Sequence, residues 1–387
     1  MTHARGIFTR LPESTDVPEI RRRPRVARLR VFAVIGFALA SAAAVVAVQR
    51  PVRPRLEPPA LYAQACAACH GADGKGSPLW EGPVPILDFS DCLGNTAEPA
   101  EHWETIVRDG GAARGLSSSM PAFGEALDPQ EIAHLVAYLR TFCEDFEKYP
   151  PGDLNFRRAL ETGKAYPEQE VVLRPVFARA AGSSGGSMEV SYENRLGARF
   201  QYEATLPFVF SQPGDGAGGI GDLELEAKQV LFFSGPTSQI LSAGLGLTLP
   251  TGDRDEGLGE GAALLEPFLA YGKAWGRTFV QTRAALVVST NTARRDSEFS
   301  FEAALSRSLG PPRIAWVPAL EIVGSRNLST GANDWAGVIE VSKALTPLGH
   351  VLGALGVRVP ITESEESYSV LAYVLWDFGD GPFWKGW

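Results

Sequence analysis

The chain has 387 residues, a formal net charge of −9 and 45% hydrophobic residues, which is enough apolar material for more than one folded unit. An acidic balance of this size argues against nucleic-acid binding. No P-loop, nucleophile elbow or HExxH pattern occurs, and the serines and aspartates form no catalytic constellation, so the expectation is a protein that is not an enzyme.

Residues 1–50 read as an export segment. Arg21, Arg22, Arg23, Arg25, Arg28 and Arg30 precede the uncharged apolar run 31–48, and a basic stretch followed by an apolar one is the pattern of secretion. Two fates stay open. The run is just long enough to remain as an inner-membrane anchor, or it is cleaved after a small-residue site such as Ala38-Leu39-Ala40.

Residues 51–146 form the next unit, and Cys66-Ala67-Ala68-Cys69-His70 opens it. C-x-x-C-H is the attachment signature of c-type haem: each cysteine forms a thioether to a haem vinyl group, and the adjacent histidine reaches the iron. A thioredoxin-like dithiol would need a βαβ pattern, and a zinc site would need a second ligand pair. The expected cofactor is one covalent haem c. An electron-shuttling iron needs a second axial ligand, commonly methionine. Of the three methionines, Met1 is the initiator and Met188 lies in a strand-like region, which leaves Met120 in Ser119-Met120-Pro121-Ala122-Phe123. His102 and His134 are weaker candidates. The site residues are therefore Cys66, Cys69, His70 and Met120, with His70 and Met120 on the metal.

With those two motifs in that order, residues 61–143 resemble a class I cytochrome c domain, which implies a small all-α fold and single-electron transfer. Leu61 to His70 reads as the first helix, ended by Gly71, and Pro99 to Arg108 as a second before Gly110-Gly111. A third follows Asp128-Pro129, with Ile132, Leu135, Val136 and Leu139 at helical spacing. Pro78, Pro83 and Pro85 punctuate the loop in which the family places a carbonyl that orients the proximal histidine. Cys92 and Cys143 bracket the domain, and we expect a disulfide between them, because the periplasm where haem is attached also permits disulfides. The alternative is a pair of free buried thiols.

Residues 147–170, with Pro150-Pro151-Gly152 and Pro167, read as a polar linker. Arg157, Arg158 and Lys164 are expected in solvent, or against lipid head groups.

From residue 171 to 387 the sequence shows period-two alternation in runs of strand length. Leu223, Leu225, Ala227, Gln229, Leu231 and Phe233 alternate with Asp222, Glu224, Glu226 and Lys228, for example. Short links near Gly197, Gly235, Gly276, Pro311 and Gly349 take turns with longer polar ones at 182–186, 212–219, 251–261, 291–296, 325–334 and 362–366. Alternating connector length is what an antiparallel transmembrane barrel requires. We expect about twelve strands, at 171–180, 187–196, 198–210, 221–233, 237–249, 263–275, 277–289, 297–309, 313–325, 334–346, 350–361 and 367–378. Pro175, Glu266 and Lys273 strain that register. Trp376, Phe378, Phe383, Trp384 and the terminal Trp387 resemble the closing signature and aromatic girdle of outer-membrane barrels. This half is also similar in pattern to outer-membrane transporter families. A soluble β-sandwich shares the period and is the alternative.

The fold class expected is thus multidomain: a small all-α cytochrome c domain, then an all-β antiparallel transmembrane barrel. The function expected is a periplasm-facing monohaem electron carrier tethered to the outer membrane by its own barrel. Its partners would be periplasmic redox proteins, outer-membrane lipid, and the machineries that mature c-type cytochromes and assemble barrels. The alternatives are a transport pore with a sensing or gating haem, an inner-membrane-anchored periplasmic cytochrome with a soluble β domain, and a five-coordinate haem enzyme, against which Met120 argues.

Overall fold

The computed structural model describes residues 55–82, 86–180, 183–211, 218–311, 314–347, 349–364 and 366–378. The export run 31–48, Pro83, Pro85, Phe383, Trp384 and Trp387 lie outside them.

Five short helices make the first domain: α1 (Pro58–Ala65), α2 (Ala67–His70), α3 (Cys92–Ala97), α4 (Ala100–Asp109) and α5 (Pro129–Leu139). Asp128 caps α5 through the N–H groups of Gln130 and Glu131, and Glu131 reaches back to the Asp128 N–H, a complete capping box. Ile132, Leu135, Val136 and Leu139 are buried, as their spacing predicts, and pack with Leu61 and Tyr62 of α1 and Trp103 and Val107 of α4. The first helix is broken where one continuous helix was expected. The chain turns at Cys66 between α1 and α2, so that the motif forms a turn of its own. Helix α3 was not expected, being short and interrupted by Gly94.

Twelve long antiparallel strands follow: β1 (Glu170–Ala180), β2 (Ser183–Leu196), β3 (Phe200–Ser211), β5 (Leu223–Ser234), β6 (Gln239–Leu249), β7 (Leu264–Trp275), β8 (Thr278–Ser289), β9 (Glu298–Arg307), β10 (Val317–Asn327), β11 (Asn333–Ala344), β12 (Val351–Pro360) and β13 (Glu366–Asp377). The two-residue β4 (Gly219–Ile220) pairs only with β3. Each long strand bonds to its sequence neighbours, and β1 closes the ring on β13 with Glu170 opposite Asp377. The expected twelve-strand barrel is therefore present.

Its polarity is inverted relative to a soluble sandwich. Glu193, Gln201, Lys228, Ser242, Gln281 and Glu340 are buried inside, while Leu245, Leu269, Leu305, Leu320, Ile339 and Leu355 are exposed on the outer wall. Apolar out and polar in is the arrangement of a barrel surrounded by lipid, and strands of this length span its apolar layer. Among the described residues no helix is long and apolar enough to cross a membrane.

The irregular residues have local explanations. Glu266 points inward to Arg283 at 2.7 Å, and Lys273 points outward at the strand's end, so one register serves both. The β1–β13 ladder skips Arg174 and Pro175, where proline has no N–H to give. A bulge at Leu231 turns Phe233 to the inside with Ile240, against the expected face. Connector lengths alternate less strictly than expected. Residues 183–186 belong to β2, so that only two residues separate it from β1, and the β9–β10 connection spans 308–316. Phe378 is buried and stacks on Tyr192, with centroids 5.9 Å apart, so it is not part of a lipid-facing girdle.

The largest departure concerns the segment expected to be a solvated linker. Residues 152–170 run through the barrel interior, with Leu154, Phe156, Leu160, Thr162, Lys164, Tyr166 and Glu168 all buried. Arg158 pairs with Glu170 and Glu193, and Lys164 with Glu168. A polar sequence is compatible with a polar lumen as well as with water, which is why composition misplaced it.

Candidate functional site

Tyr62 is buried in α1 and donates its hydroxyl to the carbonyl of Gly71 at 2.6 Å, pinning the end of the C-x-x-C-H turn. Within the turn the His70 N–H reaches the Cys66 carbonyl at 2.9 Å, and the N–H groups of Gly76 and Ser77 close on the carbonyls of His70 and Cys69, both at 2.8 Å. Gly71 sits at φ 77°, and a Cβ there would lie 2.8 Å from the Gly76 carbonyl. Only glycine fits that position.

Cys66 and Cys69 are free, half-buried thiols, whereas Cys92 and Cys143 form a disulfide with Cα atoms 5.1 Å apart. Burial, with Cys69 beside it, pushes the Cys66 thiol up to about 11.

The His70 ring stacks on Phe89 with centroids 4.8 Å apart. Its Nδ1 is buried without a hydrogen-bond partner among the described residues. Burial lowers its pKa below the ordinary histidine value, so the ring is neutral at pH 7 and offers a lone pair to a metal.

Met120 packs on the same apolar cluster as Cys66 and Ala67. Its backbone is fixed by the loop, because the Met120 carbonyl accepts the Gly111 N–H at 3.1 Å and a side chain on Gly111 would meet Met120 Cβ and the Ser117 carbonyl. The competing histidines are placed elsewhere. His102 is buried against Glu98, Nδ1 to carboxylate 2.8 Å, and His134 is exposed on α5. The Cys66 thiol and the Met120 thioether on one apolar cluster, the His70 ring stacked on Phe89 of that cluster with a buried unbonded Nδ1, and the Cys69 thiol in the same turn fit a covalently held haem. Cys66 and Cys69 would hold the ring, and His70 and Met120 the iron.

This domain rests on one end of the barrel. Arg195 donates to the Leu93 carbonyl at 2.7 Å, Arg199 to the Lys148 carbonyl at 2.8 Å, and Arg277 to the Glu101 carboxylate at 3.2 Å. Arg114, in the loop before Met120, donates to the Pro347 carbonyl at 3.4 Å. All four contacts come from the turns that join β2 to β3, β7 to β8 and β11 to β12, or from the strand ends beside them.

The inner segment was missed by sequence reasoning, and its contacts reach most of the wall. Glu340 accepts the N–H of Leu160 at 2.8 Å, Glu321 that of Thr162 at 2.7 Å, and Glu302 that of Gly163 at 2.9 Å. On the opposite wall Ser242 and Lys228 donate to the carbonyls of Ala165 and Lys164, at 2.6 and 2.9 Å. Leu154, Phe156 and Tyr166 share a core with Val230, Ile240, Phe268 and Phe279. The apolar pairs Leu154/Phe156 and Ala165/Tyr166 were the signal that could have found this segment. A cavity of about 370 Å³ remains at the mouth, between Glu101 of the helical domain and Asp153, Arg158 and Glu170.

Residues 55–139 match the family described as cytochrome C oxidase, cbb3-type, subunit III. No curated protein matches the chain. Among solved structures it is similar to the KdgM porin, at 10% identity over 54% of this chain and 99% of that one with a TM-score of 0.40. It is similar to the NanC porin at 7% identity over 54% and 98%, TM-score 0.41, and to outer membrane phospholipase A from Escherichia coli at 14% over 55% and 93%, TM-score 0.36. Residues 55–139 are a c-type cytochrome domain, a kind that implies haem binding, joined in one chain to a closed twelve-stranded antiparallel barrel.

Proposed function

We propose that the chain is a monohaem electron carrier held at the periplasmic face of the outer membrane by a barrel filled with its own polypeptide. The observation that carries the redox part is that Cys66 and Met120 pack on one apolar cluster while the His70 ring, next to Cys69 in the same turn, stacks on Phe89 of that cluster. Haem bound there supplies one-electron chemistry at a potential raised by a methionine ligand. Cys66 and Cys69 fix its position, His70 gives a neutral nitrogen, and the shell of Phe89, Trp103, Leu135 and Val136 excludes water. Twelve strands place both ends of the barrel segment on one side, and the cytochrome domain rests on that side. Haem is attached in the periplasm, so that side faces the periplasm in this reading, and the export run is removed.

The pore reading is disfavoured by the buried segment 152–170, whose apolar side chains are part of the barrel core. Cell fractionation with haem-stained gels of boiled and unboiled samples tests the proposal. Haem in the outer membrane with heat-modifiable mobility supports it. Haem in the inner membrane at unchanged mobility overturns it. Planar-bilayer recording separates anchor from pore, since a filled barrel should not conduct.

A further inference from the structure

The outer wall carries a feature that neither electron transfer nor anchoring by apolar surface accounts for. Strands β7, β9 and β11 run toward the cytochrome-side rim, and each ends with an outward-facing base there: Lys273, Arg307 and Lys343. The registers settle the direction, because Gly272, Ser306 and Ser342, each one residue before its base, are buried inside. The remaining strands of the same direction, β2, β5 and β13, carry Leu196, Phe232 and Trp376 on their outer faces near that rim. Among the strands of this direction the outward bases near the rim therefore fall in one sector. Alternate strands lie about 10 Å apart, so the three bases form a continuous row.

Two exposed tryptophans lie in the row. The Lys343 ammonium sits 4.6 Å from the Trp316 ring, and that of Lys273 5.8 Å from the Trp275 ring. None of the three bases is paired with a carboxylate among the described residues. Lys273 donates to the Thr237 carbonyl, and Arg307 to the Thr278 hydroxyl at 3.1 Å. Arg277 on the neighbouring turn is directed instead to Glu101 of the cytochrome domain. Immediately away from the rim, Leu269, Leu305 and Ile339 continue the same outward rows as exposed apolar side chains.

We infer that this sector is a binding surface for the phosphates of anionic phospholipid head groups, with Lys273, Arg307 and Lys343 as the contacts and Trp275 and Trp316 at the level of the head groups. The chemistry follows from position. Long basic side chains at the edge of an apolar band extend toward the polar layer, tryptophan prefers that interface, and a base near an anionic membrane surface favours it by roughly five-fold in binding. The inference rests on the barrel spanning a bilayer.

The test reconstitutes the full-length chain in phosphatidylcholine vesicles doped with a brominated lipid and reads quenching of tryptophan fluorescence. Brominated phosphatidylglycerol should quench more than brominated phosphatidylcholine at equal mole fraction. The excess should fall with added salt and disappear in the triple variant Lys273→Gln, Arg307→Gln, Lys343→Gln, while heat-modifiable mobility is kept. Should the triple variant fail to assemble, the three single variants each reduce the excess. Equal quenching by the two lipids, or an excess that survives the substitutions, overturns the lipid site alone. Absence of quenching by either lipid, with no heat-modifiable form, overturns the membrane barrel together with it.

Discussion

Glu321, on the barrel wall, accepts the backbone N–H of Thr162 at 2.7 Å and its hydroxyl at 2.6 Å. A carboxylate inside the barrel is thus satisfied by the connecting segment itself, and the same carboxylate takes the Glu161 N–H at 3.2 Å. Each of these donors left buried without a partner costs about 1–3 kcal/mol. Glu321→Ala should lower the temperature at which the heat-modifiable form is lost and raise bilayer conductance from the baseline. A parent-like transition and no conductance would mean that the apolar contacts of Leu154, Phe156 and Tyr166 hold the segment alone.

The barrel was legible because alternation of Leu and Glu at period two survives in any environment, and the strands fall within a few residues of their expected ends. Which face was inside was a separate question. Glu226 and Lys228 look solvent-facing in a soluble sheet and lumen-facing in a barrel, and only the closed pairing of β1 with β13 decides. The segment 152–170 was misread for the same reason, since Arg158 and Lys164 are charged whether water or Glu193 and Glu168 surround them. In the helical domain the kind of domain was legible from the C-x-x-C-H spacing, and α5 from its Asp-Pro start and the helical spacing of Ile132, Leu135, Val136 and Leu139. Helix α3 was not, because six residues with a glycine carry too little periodicity.

Met120→Ala should open the iron to carbon monoxide and lower the reduction potential, because the sixth position loses its thioether. His102 and His134 cannot substitute without moving, one being bound to Glu98 and the other exposed on the far side of α5. Ferrous spectra with and without carbon monoxide, and a potentiometric titration, check the assignment. A variant matching the parent in both would place the sixth ligand elsewhere.

Asp153 lies where the buried segment leaves the cytochrome domain, its carboxylate accepting the Ala100 N–H at 3.2 Å. The side chain is open to solvent at the mouth, yet the protein packed around it partly desolvates the carboxyl and raises its pKa above the ordinary aspartate value, against the pull of Arg140. A carboxyl whose folded-state pKa lies above its unfolded one holds more protons folded than unfolded between those values, so stability falls as pH rises through that window. Asp153→Asn keeps the acceptor and removes the charge. Denaturant midpoints from pH 3.5 to 7 should decline less steeply with rising pH in the variant than in the parent. Identical slopes would assign the pH dependence to other groups.

The Cys92–Cys143 disulfide ties the start of α3 to the residues just after α5, across a sequence separation of 51. Arg140 lies inside that closure and donates to the Asn95 and Glu98 carbonyls, at 2.9 and 2.5 Å, so α3 is held by both a covalent and a polar link. Closing a loop of this length is worth about 4 kcal/mol in the chain-entropy account. The paired substitution Cys92→Ser, Cys143→Ser should therefore destabilise the cytochrome domain by up to that amount, read as loss of haem absorbance in denaturant. It should leave the heat-modifiable mobility of the barrel unchanged, since α3 lies outside the barrel wall and meets it through the Arg195 hydrogen bond to the Leu93 carbonyl. Thiol titration of the denatured, unreduced parent adds a second check. With haem on Cys66 and Cys69 and a bridge between the other pair, no thiol should react, whereas two reactive thiols in a haem-loaded sample would mean that the bridge does not form.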